Sequence, residues 1–219
     1  MKITKYFIIC ISLIQYCFGN QEFTVNIIKG EFKLVEEAIL DNPSLVNYIG
    51  DSGYSSLTIA ASFGHHMICN LLIDYGANIN HQSSDGGTSL MLASVYKHLD
   101  VIKLFIENKC NIHLTTNNGD TALHLAVKGG SNQIVEALIM AGISISYKNK
   151  NGITPLMVSA IYNKPEIASS LLNAGANVDI VDINNWTALE HASLNGNTEV
   201  LLVLTNNAWE NHKRKIYGK

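Results

Sequence analysis

Apolar residues return along this chain every 33 positions. Three columns keep that step without an insertion, one of leucines, one of Ile or Val, and one of small residues: Leu57, Leu90, Leu123, Leu156 and Leu189; Ile68, Val101, Ile134, Ile167 and Val200; Ala60, Ala93, Ala126, Ser159 and Ala192. Within a unit, apolar residues such as those at 68, 71 and 72 follow helical spacing. Self-similarity at about 20 to 50 residues is typical of stacked repeats, so the pattern predicts a stacked repeat array.

Polar and glycine positions mark the ends of the predicted helices. Each unit has a Thr or Ser that can cap its first helix by accepting a backbone N–H: Ser55, Thr88, Thr121, Thr154 and Thr187. Pro155 follows one cap, where a missing donor is harmless. The second helix is predicted over roughly residues 66–75 and their equivalents, ending on a left-handed glycine at Gly76, Gly142 and Gly175. Lys109 replaces that glycine in one unit and is predicted to weaken it by ~1 kcal/mol.

The two ends of the array depart from the pattern, as the terminal units of a solenoid are expected to do. Residues 20–50 form a degenerate capping repeat whose second helix stops at Asn42-Pro43. The last unit has His191 where the others have Ile, Leu or Val. We therefore predict a repeat array over residues 51–208 and a basic tail over residues 209–219, which frays from Glu210 onward.

The motifs inside these units resemble those of the ankyrin repeat family. The family's Gly-x-Thr-Pro-Leu-His signature is present as Gly152-Ile153-Thr154-Pro155-Leu156, and with His124 and Ala126 in the stretch 119–126. Its Gly-Ala-Asn-Val-Asn ending is similar to residues 76–80 and 175–179. The resemblance covers about residues 22–208. It implies an all-α ankyrin-repeat solenoid with about five full repeats and a degenerate N-terminal one.

The first nineteen residues have the composition of an export signal. Lys2 and Lys5 precede a mostly apolar stretch from Tyr6 to Phe18, and Cys17 and Gly19 stand at the −3 and −1 positions of a cleavage site. The stretch is shorter than the ~20 residues of a membrane-spanning helix. We predict a cleaved signal peptide over residues 1–19, a secreted or exported chain, and no stable membrane span afterwards. An uncleaved anchor and a buried helix are the alternatives.

Charge argues against a nucleic-acid partner. The chain has 15 Lys and Arg against 18 Asp and Glu, a net charge of −3. Six of the basic residues lie in the first five and last seven positions, which leaves 9 basic against all 18 acidic residues between 20 and 210. An acidic body repels phosphate backbones. At 47% hydrophobic residues the chain is expected to fold around a well-filled core.

The residues give little support for catalysis or metal binding. His65, His66 and Cys69 stand close together in sequence, but no second Cys/His pair at ligand spacing accompanies them. Cys69 and Cys110 are predicted to lie too far apart in the helix stack for a disulfide and to be buried thiols. The resemblance implies that His124 stabilises a turn. We therefore predict no enzyme activity, no cofactor and no metal.

Binding is predicted on the concave face that the resemblance implies, formed by hairpin tips and first helices. Eight apolar or aromatic residues fall there without a packing role inside their repeat: Tyr54, Phe63, Val95, Tyr96, Ile153, Ile161, Tyr162 and Trp186. Exposed large apolar residues mark interaction surfaces, and Tyr and Trp are favoured anchors. The alternative is that they pack between repeats.

The resulting hypothesis is an exported non-catalytic adaptor for an unidentified protein partner, similar to the host-directed effectors of host-associated bacteria. An inhibitor that blocks the active cleft of a partner enzyme would use the same interface, and a metal-binding protein is the remaining alternative. The sequence does not define the partner or the oligomeric state.

Overall fold

The computed structural model describes residues 21–217, so the predicted signal peptide over 1–19 lies outside the described residues. Within 21–217 the secondary structure consists of twelve α-helices and one 3₁₀ helix, with no strand beyond two isolated bridges. The prediction of an all-α fold is confirmed.

The helices follow one another in pairs. The bounds are α1 Gln21–Lys29, α2 Phe32–Asp41, the 3₁₀ helix Pro43–Asn47, α3 Ser56–Ser62, α4 His66–Asp74, α5 Ser89–Tyr96, α6 Leu99–Glu107, α7 Ala122–Gly129, α8 Asn132–Met140, α9 Pro155–Ile161, α10 Pro165–Asn173, α11 Ala188–Leu194 and α12 Thr198–Tyr217. The pair α1 and α2 forms the opening unit, and the other ten helices form five repeats of a short first helix and a second helix. Each second helix except the last has nine residues, which agrees with the predicted span to within one residue.

The predicted caps begin all five first helices. In each repeat the Thr or Ser hydroxyl accepts the backbone N–H three residues later. The donor to hydroxyl distances are 3.2 Å at Ser55, 3.3 Å at Thr88, 3.5 Å at Thr121, 3.3 Å at Thr154 and 3.4 Å at Thr187. Pro155 is the first residue of α9, as predicted. These caps fix where each hairpin ends and each first helix begins.

Helices of neighbouring repeats pack first on first and second on second. The chain divides into two compact units, the first ending at Asn111 and the second beginning at Ile112. In the first unit α3 contacts α5 and α4 contacts α6. In the second unit α7 contacts α9, α9 contacts α11, and α8 and α10 contact their successors. The leucine column is buried in this packing in every repeat except the last, where Leu189 is 41% exposed.

Left-handed residues end the second helices, as predicted. Gly76, Gly142 and Gly175 have φ values of 87°, 88° and 94°, and Lys109 adopts the same region with φ of 54°. A Cβ atom on any of the three glycines would meet nothing within 4 Å. The strain at Lys109 is therefore a property of its own backbone and not of crowding by neighbours.

Lys109→Gly is expected to stabilise the protein by about 1 kcal/mol, because glycine adopts the left-handed region without a Cβ clash. Urea unfolding followed by helical circular dichroism measures the change. The matched control is Lys103→Gly, in the middle of α6 and exposed. That change is expected to destabilise by about 1 kcal/mol, since glycine is a poor helix interior residue. A Lys109→Gly protein no more stable than the parent would contradict the strain argument.

The last helix extends beyond the predicted end of the array. α12 has 20 residues and continues to Tyr217, whereas the residues from Glu210 onward were predicted to fray. The chain has no Gly or Pro between Gly196 and Gly218, and Glu, Lys and Arg in this stretch are good helix formers. The basic composition was therefore a poor reason to expect a frayed tail.

Candidate functional site

We call the eight candidate residues together the candidate surface. They lie at two kinds of position, on the first helices and in the hairpins before them. Tyr54, Ile153 and Trp186 each precede the cap residue of a first helix. The other five lie at or next to the C-terminal ends of first helices: Phe63, Val95, Tyr96, Ile161 and Tyr162. Tyr162 and Trp186 are 45% and 38% exposed, and the remaining six are half-buried. None of the eight belongs to the buried core.

In the first unit three of the four candidate residues are aromatic, and all four are half-buried. Phe63 stacks on His65 with ring centres 6.1 Å apart and planes 7° apart. Burial raises the pKa of Tyr54, and the charge of Asp85 and the phenol of Tyr96 raise it further. The partial burial of these residues agrees in part with the alternative of packing between repeats.

In the second unit the candidate residues are more exposed. The Nζ atom of Lys128 lies 5.9 Å from the ring centre of Tyr162, within the range of a cation–π contact. Trp186 meets the ring of His191 edge to face, with ring centres 5.5 Å apart. The side-chain amide of Asn197 donates to the carbonyls of Ala160 and Ile161 at 2.7 and 3.0 Å, which fixes the end of α9 where two candidates lie.

A buried acid and histidine hold the hairpin that carries Trp186. One oxygen of Asp182 accepts the backbone N–H groups of Asn184 and Trp186 at 2.8 and 3.0 Å, and the other lies 3.0 Å from Nε2 of His191. Burial raises the pKa of Asp182, but these hydrogen bonds outweigh burial and leave the pKa below its usual value. The sequence indicated only that His191 interrupts an apolar column; its partner was missed.

His124 has the structural role that the resemblance implied. Its Nδ1 accepts from the backbone N–H and the hydroxyl of Thr121 at 3.2 and 2.8 Å, and its Nε2 donates to the carbonyl of Ile153 at 3.0 Å. Burial lowers the pKa of His124. The hydrogen bonds around the ring and the charge of Asp120 raise the pKa, but by less, so it stays below its usual value. The neutral ring therefore joins the start of α7 to the next hairpin and positions Ile153.

The histidines near the second helices also bond to backbone. Nε2 of His65 donates to the carbonyl of Ile28, and Nε2 of His98 donates to the carbonyl of Ser62, each at 2.9 Å. Among residues 21–217 no three His, Cys, Asp or Glu side chains are grouped so that they could hold a metal ion. His65 thus links its repeat to the preceding one.

The two thiols differ from each other. Both are free; Cys69 is buried, and burial raises its pKa. Cys110 is only half-buried, so the prediction of a buried thiol there was wrong, although burial still raises its pKa to about 11. Cys110 follows the left-handed Lys109, after the end of α6, and so lies outside the helix packing that covers Cys69.

Two exposed apolar residues of the second unit were not predicted as site residues. Leu194 at the end of α11 is 67% exposed, and so is Ile183 in the hairpin before it. Leu194 occupies the same repeat position as Ile161 and Val95, so the periodicity alone could have identified it.

In the described part of the chain no helix is both long and apolar enough to cross a bilayer.

Comparison with known families agrees with the repeat pattern. The family profile described as ankyrin repeats (3 copies) matches residues 21–116, 57–149 and 123–215. No curated protein matches the chain. The matches run from the opening unit into α12 and include all five repeats, so the all-α ankyrin-repeat solenoid is confirmed. The chain belongs to the ankyrin repeat family.

Proposed function

We propose that this chain is an exported, non-catalytic protein that binds another protein through the candidate surface. Ankyrin repeats indicate protein–protein interaction, which supports the general role. The observation that carries the proposal is the exposure of large aromatic residues outside the packed columns, with Tyr162 and Trp186 at 45% and 38%. Aromatic side chains with one face open to solvent are the usual anchors of protein interfaces.

The route and the consequence of binding are parts of the same proposal. Export rests on the basic, apolar and small-residue order of residues 1–19, and it favours a partner outside the producing cell, such as a host protein. If the partner is an enzyme, occupation of its active cleft by the same surface makes this chain an inhibitor. The interface is the same in both cases, and only the identity of the partner differs.

Changing Phe63, Tyr96 and Tyr162 together to Ser is expected to abolish capture of a partner by the immobilised chain, because it removes the aromatic anchors. These side chains are half-buried or exposed, so Tm should fall by no more than about 5 °C. The measurement is affinity capture from a host-cell extract, with thermal unfolding of the same samples.

The matched control changes three exposed apolar residues of the second helices to Ser: Met67, Met140 and Leu202, which are 63%, 82% and 61% exposed. Capture should survive this control. Unfolding of the first triple variant would show that its aromatic residues belong to the core. Equal loss of capture in both variants would show that the loss is not specific to the candidate surface.

A further inference from the structure

A patch at the C-terminal ends of the first helices in the second unit combines one cation with exposed apolar groups. It consists of Lys128, Ile161, Tyr162 and Leu194, and we call it the lysine patch. α7, α9 and α11 contact one another in order, and the 33-residue step places Lys128, Ile161 and Leu194 at the same position of successive helices. Packing therefore brings the four residues into one row.

The lysine patch is open to a partner. Lys128 is exposed, Tyr162 and Leu194 are 45% and 67% exposed, and Ile161 is half-buried. Nζ of Lys128 lies 5.9 Å from the ring centre of Tyr162, near the outer limit of a cation–π contact. At that distance the ring keeps the ammonium beside the apolar surface, while the N–H groups can still donate to an oxygen anion.

The charges around the patch differ from those of the rest of the body. Between residues 20 and 210 the chain has 9 basic and 18 acidic residues, but the row at positions 128, 129, 161, 162, 194 and 195 contains no acid. A second cation lies close by, since a Cβ on Gly130 would be 3.0 Å from Nζ of Lys164. Two acids belong to the adjoining turns: Glu166 follows Lys164 by two residues, and Glu199 accepts from the side-chain amide of Asn163 at 3.5 Å.

We infer that the lysine patch binds a peptide segment in which a carboxylate side chain stands beside a large apolar one. This inference rests on the proposed function and names the chemistry of the partner. Between residues 20 and 210 acids outnumber bases two to one, so Lys128, in a row without acids, favours an acidic segment over the acidic parts of the array. The apolar neighbour of the carboxylate packs on Tyr162, Ile161 and Leu194 and removes their surface from water.

The test uses a phage-displayed library of random 12-residue peptides, selected on the immobilised full chain. Enriched peptides are expected to carry Asp or Glu next to an aromatic or aliphatic residue, about threefold more often than the unselected library. Synthetic copies should bind about tenfold more weakly to Lys128→Glu and to Tyr162→Ser, and measurably more weakly to Lys128→Gln. Lys103→Glu, an equal charge change at an exposed position of α6, should leave binding unchanged.

Three outcomes overturn the inference. They are enrichment of basic or uncharged peptides, binding that is unaffected by Lys128→Glu, and no enrichment at all. None of these contradicts the proposed function, which fails separately if the triple Ser variant of Phe63, Tyr96 and Tyr162 captures partners as well as the parent chain. Circular dichroism of each variant confirms that lost binding is not lost folding.

Discussion

Gly152→Ala is expected to destabilise the protein by about 3 kcal/mol, and the same change at Gly142 by about 1 kcal/mol. Both glycines are left-handed, with φ of 74° and 88°, so the backbone strain of an added Cβ is similar at the two sites. Their surroundings differ. A Cβ on Gly142 would meet nothing within 4 Å, whereas one on Gly152 would lie 2.8 Å from Cα of Asp182 and 3.0 Å from N of Ile183.

The contact at Gly152 is with backbone, which cannot rotate away as a side chain can. Ile183 N–H donates to the carbonyl of Asn151 at 3.1 Å, so the two hairpins are held at the distance that leaves no room for a methyl group. Guanidinium unfolding of both variants gives the two free energies. Equal destabilisation would show that the hairpins separate easily and that strain alone explains the glycine.

The same hairpin contacts position the candidate surface. In the second unit Lys150 N–H also donates to the carbonyl of Asn118 at 3.0 Å, and Asn149 bonds through its amide to Asp120 at 2.7 Å. Ile153 directly follows Gly152, and its carbonyl is held by His124. A shift of the hairpin at Gly152 therefore moves a candidate binding residue as well as weakening the fold.

Most of the fold could be predicted because each repeat is a local problem. The caps at Ser55 and its equivalents depend on residues three positions apart, and the left-handed turn at Lys109 depends on its neighbours in sequence. The 33-residue period then predicts the packing, since residues at the same repeat position have similar surroundings. Leu57 and Leu123, for example, are both fully buried. Local rules repeated at a constant step need no knowledge of distant contacts.

The candidate site was less predictable because it depends on individual side chains that differ from one repeat to the next. The partial burial of Phe63 comes in part from its stacking on His65, two residues later in the chain. Tyr54 is half-buried as well, and burial raises its pKa.

The hairpin turn itself repeats every 33 residues, since Thr116, Asn149 and Asp182 each accept the backbone N–H groups two and four residues later. The bond from Asp182 to His191 was missed because His191 departs from the apolar residues of its column. The continuation of α12 to Tyr217 was missed for another reason, because a polar and basic composition was interpreted as fraying where no helix-stopping residue is present.

Leu156→Ala and Leu189→Ala compare the same repeat position with and without a following repeat. Leu156 is 1% exposed and Leu189 is 41% exposed, and both are the second residue of a first helix. Leu156→Ala is expected to destabilise by about 3 kcal/mol, because it removes buried methyl groups and leaves a cavity between α9 and its neighbours. Leu189→Ala should cost about 1 kcal/mol, since much of that side chain already contacts water.

The difference between these two leucines measures what stacking contributes at one position. Neither residue has a polar role, and both changes remove the same atoms, so unequal losses come from the neighbouring repeat. Urea unfolding followed at 222 nm gives both values, and the slope with denaturant shows whether the array still unfolds as one unit. If Leu189→Ala cost as much as Leu156→Ala, the end of the array would be covered in solution, by a second copy or by another part of the protein. Sedimentation at increasing concentration then separates those two cases, because only self-association depends on concentration.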